Sequence, residues 1–144
     1  MGNPIMIRRA ATEDAAELAR LNEEFNGVQL TKAEVIEGLS QSQEIVLIAF
    51  YMGRAVGFIC GQHYRSFCYL KRQAEITEMY VMEEARRQGI ATLLIKQLEE
   101  ELMRHDVDAI KVLTGEHNQA GRKTYEHSQY EWQDEIVLEK TFSQ

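Results

Sequence analysis

The chain has 144 residues, a formal net charge of −7, 44% hydrophobic residues and 27% charged ones. That length and balance predict one soluble α/β-sized domain over residues 1–144 and exclude a disordered or fibrous chain. The acidic balance disfavours nucleic acid, whose phosphates need the opposite sign, and no apolar run approaches the roughly 20 residues of a membrane helix.

The start of the chain lacks the basic, apolar, small-residue order of a secretory signal, so a cytoplasmic protein is expected, with Cys60 and Cys68 as reduced thiols. The charge is uneven. Between residues 13 and 44 eight acidic residues stand against two basic ones, Arg20 and Lys32. Such a region steers cationic partners, and it is equally the charged outer side of two surface helices.

In chain order, residues 5–8 read as a short strand behind Pro4, and a helix follows from Thr12, broken at Asn26-Gly27. Thr31 with Glu34 three residues on is a capping box that opens a second helix through Leu39. Two strands, residues 44–51 and 55–63, flank Met52-Gly53-Arg54 as a hairpin. Residues 45–50 are apolar without alternation, which predicts a strand covered on both faces. An aromatic and basic loop leads to a third long strand, residues 74–81, where period 2 places Ile76, Glu78 and Tyr80 on one face and Glu75, Thr77, Met79 and Val81 on the other.

A helix over residues 92–105 carries an apolar stripe of Ala91, Leu94, Ile95, Leu98 and Leu102. A strand over 109–114, a helix over 119–128 and a closing strand over 135–141 complete a mixed sheet flanked by helices, in the order β-α-α-β-β-β-α-β-α-β.

The most telling stretch is Arg86, Arg87, Gln88, Gly89, Ile90 and Ala91, between the third long strand and the helix near Thr92. A chain that leaves a strand, turns at a glycine and enters a helix presents unpaired N–H groups and the positive end of the helix dipole, which suits a phosphate. The Walker-type and dinucleotide glycine motifs are both absent from the sequence. Downstream lie Asn118 and, seven residues on, Tyr125.

The order strand, Arg-x-x-Gly-x-Ala, helix, strand, Asn, Tyr resembles the GNAT acetyltransferase superfamily, most strongly from residue 74 to residue 132. The resemblance implies a GNAT acyl-CoA N-acyltransferase-like fold and acetyl-CoA as acyl donor. Its pyrophosphate would be held by the loop Arg86, Arg87, Gln88, Gly89, Ile90 and Ala91 with the helix start at Thr92. It also implies that the strand end Met79, Tyr80 and Val81 diverges from its neighbour, pairs with the pantetheine arm and aims an amide at the thioester oxygen. Asn118 would hydrogen-bond the pantetheine amides, and its residue type serves equally as an N-cap.

Tyr125 is the candidate partner of the departing thiolate. With reference values of ~10 for a phenol and ~8.5 for a thiol, a strengthening hydrogen bond fits better than full proton transfer. The alternative for Tyr125 is an anchor for the last helix. Glu78 is the candidate general base or ammonium ligand, with Glu75 second, a neighbouring Arg as the competing partner for Glu78, and an unassisted water chain as a further option.

No histidine or cysteine spacing suggests a metal. Two departures from the family pattern are Thr124, where a large apolar residue is common, and Gln129-Tyr130, where Gly and an aromatic are usual. The reading is an N-acetyltransferase for a primary amine of a small cationic acceptor, a polyamine or aminoglycoside-like molecule. The resemblance also admits a homodimer. The alternatives are a protein or peptide N-acetyltransferase, decided by whether the turn at Phe25 to Leu30 leaves a pocket or an open groove, and a non-catalytic acyl-CoA-binding regulator.

Overall fold

The computed structural model describes residues 2–142. Its elements are β1 (Ile5–Arg9), α1 (Ala15–Asn26), α2 (Lys32–Gln41), β2 (Ile45–Tyr51), β3 (Arg54–Tyr64), β4 (Arg72–Val81), α3 (Ile90–Met103), β5 (Val107–Val112) and α4 (Gln119–His127). Single 3-10 turns at Thr12–Asp14 and Glu83–Ala85 precede α1 and follow β4. The five strands lie in chain order, antiparallel from β1 to β4 and parallel between β4 and β5.

Local chemistry accounts for most boundaries. The Thr31 hydroxyl accepts from the Glu34 amide while the Glu34 carboxylate accepts from the Thr31 amide, the reciprocal box that starts α2. Met52 and Gly53, with φ of 51° and 84°, make the two-residue turn whose left-handed backbone conformation suits the right-handed twist of the β2–β3 hairpin. Residues 45–49 are buried, as an apolar strand between two helical layers should be.

The approach to α1 is held by a charge pair. Arg8 donates to both oxygens of Asp14 at 2.7 and 2.8 Å, and the Ala11 amide donates to one of them at 2.8 Å. The hydrogen bonds from Arg8, against the opposing effect of burial, hold the Asp14 carboxyl below its usual range.

Helices cover the two faces of the sheet. On β3, Phe58 turns to α1, where its ring meets Phe25 at 5.9 Å. Gly61, an odd number of residues on, turns to α3, and a Cβ there would lie 2.8 Å from Leu98. The absent side chain lets α3 sit close on the sheet. Ile90, Leu94, Ile95, Leu98 and Leu102 are all within 1% of full burial, each contributing about 2 kcal/mol of transfer free energy.

Three expectations need correcting. First, α3 begins at Ile90, two residues ahead of Thr92, with Gly89 as its N-cap at φ 80°.

Second, the alternation along β4 is interrupted. Cys60 pairs with Glu78 but Gly61 pairs with Ile76, so Thr77 is an extra residue in a β-bulge. Ile76 therefore faces α3 with Gly61. Tyr80, opposite Phe58, faces α1 with its ring 5.6 Å from Phe25. Glu75 pairs with Gln62, two residues from Cys60, so Glu75 and Glu78 share a face instead of opposing one another.

Third, residues 135–141 form no strand. They make no ladder with β5, and Ile136, Val137 and Leu138 stay 82%, 62% and 87% exposed. Strand propensity describes fit to a neighbouring strand, and this segment pairs with neither edge strand of the sheet, β1 or β5.

Candidate functional site

The parallel β4–β5 pairing ends at Ile76↔Val112, while β4 continues to Val81 beside β3 alone. The two strands part at this point. In the wedge lies a cavity of about 200 Å³, lined by Thr77, Glu78 and Met79 on β4, the chain leaving β5 from Val112 to Gly115, Asn118 and Tyr125 at α4, and Phe25 from α1. The free side of residues 77–81 exposes backbone groups that an extended ligand arm can pair with as an added strand.

Past the end of β4 the chain turns through the exposed residues Arg86, Arg87, Gln88 and Gly89 into α3. Arg87 and Gly89 both adopt left-handed backbone, φ 66° and 80°. For Arg87 that is a strained conformation costing on the order of 1 kcal/mol, of the kind that clusters at binding sites. A Cβ on Gly89 would meet nothing within 4 Å, so space is open there, and no side chain caps the helix. The first amides of α3, at Ile90, Ala91 and Thr92, therefore lead an open anion nest with the helix dipole behind it. This donor set fits a pyrophosphate.

Arg86 itself is turned inward. Its Nε donates to the Val81 carbonyl at 2.9 Å and its guanidinium lies 6.0 Å from the Tyr80 ring, so it ties the loop to the end of β4. The Tyr80 side chain is engaged elsewhere as well, its hydroxyl donating to Glu24 at 3.1 Å, and Val81 is buried. Only the backbone of Tyr80 and Val81 remains for a ligand, whereas Met79 lines the cavity.

Tyr125 is 8% exposed, yet its hydroxyl makes no hydrogen bond to any described residue. Burial first, and the nearby Glu78 carboxylate second, push its pKa up to about 12. Against a thiol near 8.5 that places proton transfer from Tyr125 about 5 kcal/mol uphill. Its ring meets Tyr130 edge-on at 5.8 Å, and the Tyr130 hydroxyl donates to Glu99 of α3 at 2.7 Å; burial first, and that bond second, raise the Tyr130 pKa. Gln129 holds φ 73° without being glycine, so the turn that the glycine usually makes is preserved here. The packing of α4 on α3 survives that departure from the family pattern.

Asn118 caps α4. Its Oδ1 accepts from the Gly121 amide at 3.1 Å and its Nδ2 donates to Thr114 at 3.3 Å, which leaves one amide hydrogen toward the cavity it lines.

Glu78 reaches solvent but is crowded enough for burial, with a contribution from the Glu44 charge, to raise its pKa. It enters no ion pair among the described residues, so the neighbouring Arg weighed as its competing partner is not there.

Glu44 is a carboxylate that sequence reasoning missed. It directly precedes β2 and carries no motif of its own. Its Oε2 accepts from the Thr77 hydroxyl at 3.2 Å, and burial raises its pKa. His63 and His105 stack at 4.2 Å where β3 and α3 end, with Arg72 donating to His63 at 2.7 Å, apart from the cavity. Among the described residues no group of three His, Cys, Asp or Glu side chains could hold a metal, and no helix is long and apolar enough to cross a membrane.

The chain matches the sequence profile of the acetyltransferase (GNAT) family over residues 12–129. It is a member of the GNAT family. Its enzyme class is therefore that of an acyltransferase, and this family uses acetyl-CoA as acyl donor.

An uncharacterized N-acetyltransferase of Chlorobaculum tepidum is 29% identical over 108 residues, 75% of this GNAT chain and 66% of that relative. One from Bacillus subtilis is 27% identical over 134 residues, 87% of this chain and 89% of its own length. Among solved structures, an aminoglycoside acetyltransferase from an uncultured soil metagenomic sample superposes with a TM-score of 0.85 at 19% identity, covering 99% of this chain and 98% of that one. A ribosomal-protein-alanine N-acetyltransferase from Brucella melitensis biovar Abortus superposes at 0.84 with 21% identity, covering 96% and 99%. These two similarities establish a shared fold for this GNAT protein.

Proposed function

We propose that the protein transfers an acetyl group from acetyl-CoA to a primary amine of a small cationic acceptor, with aminoglycoside-like molecules and polyamines as the first class to test. The observation that carries this reading is one cavity bringing together a mostly buried tyrosine whose hydroxyl has no hydrogen-bond partner among the described residues and a carboxylate that enters no ion pair among them, Tyr125 and Glu78.

Acetyl-CoA supplies an activated acetyl thioester when bound. The amides of Gly89, Ile90, Ala91 and Thr92 hold its pyrophosphate, with Arg87 and Gln88 at the rim and Arg86 fixing the loop to β4. The backbone of Met79, Tyr80 and Val81 pairs with the pantetheine arm, and the remaining Asn118 amide hydrogen serves its amides. An amide of the same strand end polarises the carbonyl.

Glu78 attracts the acceptor ammonium and takes one of its protons, leaving the lone pair free to attack the carbonyl carbon. Tyr125 donates a hydrogen bond to the departing sulfur, and the final proton comes from the product ammonium, since the phenol is too weak an acid to give up its own. A cationic acceptor is supported by the acidic outer side of α1, where Glu17, Glu23 and Glu24 are exposed. A small acceptor is supported by the cavity volume and by Phe25, which closes one side of it. A metagenomic aminoglycoside acetyltransferase of similar fold has also been solved in complex with sisomicin.

Thiol release from acetyl-CoA, measured against a panel of aminoglycosides, polyamines, amino acids and peptides, tests the reading. Release with a small polycationic amine is expected. Release with peptides alone would replace it with peptide acetylation, and donor binding with no release on any amine would replace it with a regulatory acyl-CoA-binding role.

A further inference from the structure

The extra residue in β4 is held from outside the strand. Thr77 projects its hydroxyl to the Glu44 carboxylate at 3.2 Å, with the Cys60 carbonyl as its other acceptor at 3.3 Å. Glu44 comes from the short connection between α2 and β2 and is steadied by the Ser42 hydroxyl, which accepts from the Glu44 amide at 2.9 Å. Without the bulge, strict alternation would put Ile76 and Glu78 on one face. With it, Ile76 enters the core under α3 and Glu78 lines the cavity.

We propose that Glu44 is the positioning residue for Glu78: its hydrogen bond to Thr77 holds the bulge that turns Glu78 into the cavity, and its negative charge faces Glu78 across Cys60. The inference rests on the reading of Glu78 as the group that binds and deprotonates the acceptor.

The groups packed around Glu78 leave Glu44 as the charge it responds to. From β3 comes Cys60, whose thiol burial pushes well above its ordinary value, so it stays neutral. From α4 comes Tyr125, neutral by the same cause, and α1 presents the uncharged Phe25. On β4 itself Glu75 pairs with Gln62 beyond the bulge, and burial first, with the Glu44 charge second, raises the Glu78 proton affinity.

No arginine, lysine or histidine pairs with Glu44 among the described residues, and, against its burial, its ionised form is favoured by the Thr77 and Cys60 side chains. A like charge held nearby raises proton affinity, and a carboxylate that must take a proton from an ammonium gains driving force from it. Glu78 accepts that proton, the amine keeps its electron pair for the carbonyl carbon, and the proton passes from the carboxyl to water.

The raised Glu78 value means the ionised, active form is lost as pH falls through it, and removing the Glu44 charge lowers that value. In the full-length chain, carbon-detected NMR titration of the Glu78 side-chain carboxyl is the test, read beside the acid limb of kcat/KM.

Glu44→Gln keeps an oxygen for Thr77 and removes the charge, so the Glu78 midpoint and the acid limb should both move to lower pH. Thr77→Val keeps the charge and removes the clasp, so kcat should fall severalfold while the Glu44 charge continues to act. An unmoved Glu78 midpoint in Glu44→Gln would overturn the inference while leaving the Glu78 reading intact. An acid limb that persists in Glu78→Gln would remove the Glu78 reading, and the inference with it.

Discussion

The proposed donor and acceptor sides of the site are built from different materials. At the donor end the parts are backbone: the amides from Gly89 to Thr92, the left-handed turns at Arg87 and Gly89, and the unpaired side of β4 beyond Ile76. On the proposed acceptor side they are side chains from three distant segments, Phe25, Glu78 and Tyr125, with Glu44 reaching the strand through Thr77. A backbone site needs one short contiguous stretch with glycine where the chain must turn left-handed, and it tolerates variation elsewhere. A side-chain site depends on register, and one extra residue at Thr77 reassigns every side chain before it. The first kind suits a donor held by its backbone-binding groups, whereas the second can be retuned for different acceptors.

The largest expected break in this comparison is Gly89→Asp. It adds an anion where a phosphate should sit and a side chain at φ 80°. Calorimetry should show acetyl-CoA affinity falling by about 100-fold or more, roughly 3 kcal/mol at 1.4 per decade, with the circular dichroism spectrum unchanged. Unaltered affinity would remove the backbone account of the donor end.

Tyr125→Phe tests the acceptor end at the reacting atoms. Steady-state kinetics should show kcat lowered by about 10- to 100-fold, with donor affinity within about twofold. Because the hydroxyl has no protein partner, the melting temperature should hardly change. A stability loss without a rate effect would make Tyr125 an anchor of α4 and no more.

A smaller effect is expected from the mount of α1, which carries Phe25 to the cavity. Asp14→Asn removes a buried carboxylate that Arg8 and the Ala11 amide stabilise, which should cost about 2 kcal/mol in urea unfolding at neutral pH. The pKa of Asp14 is depressed in the folded state. Its stabilisation is therefore present above the unfolded value near 4 and is lost as pH falls through the folded value. The wild-type advantage over Asp14→Asn should shrink on acidification, and an advantage independent of pH would mean that the carboxylate charge is not what holds the turn.

The smallest effect separates two uses of one residue. Asn118→Ala removes the cap of α4 and should cost about 1 kcal/mol, a fall of about 3 °C in melting temperature. Donor affinity should fall by less than about threefold, because Oδ1 is already engaged with Gly121. A tenfold loss of affinity with unchanged stability would make Asn118 a pantetheine ligand first and a cap second.

Much of the fold was legible in the sequence because its signals are local. The capping box at Thr31 and Glu34, the Met52-Gly53 turn and the stripe from Leu94 to Leu102 each specify an element within a few residues. The turn from β4 into α3 was legible for the same reason, since Arg86 to Ala91 is contiguous.

What was not legible depended on partners far along the chain. The bulge at Thr77 is stabilised by Glu44, 33 residues away, and no local pattern announces it. Arg86 could be placed in the loop, but not as a tie to Val81 in place of a free cation. Residues 135–141 have the composition of a strand, and composition alone does not supply the neighbouring edge a strand requires.

The most direct test of the central claim is amide chemical-shift mapping of the full chain on addition of acetyl-CoA. Shifts at residues 77–81 and 86–92, together with Tyr125, are the result that the proposed placement of the donor, along the open side of β4 and at the start of α3, predicts. Shifts confined to the second cavity between α2 and β2, at Arg9, Leu39 and Gln43, would contradict that placement, as would the absence of any shift.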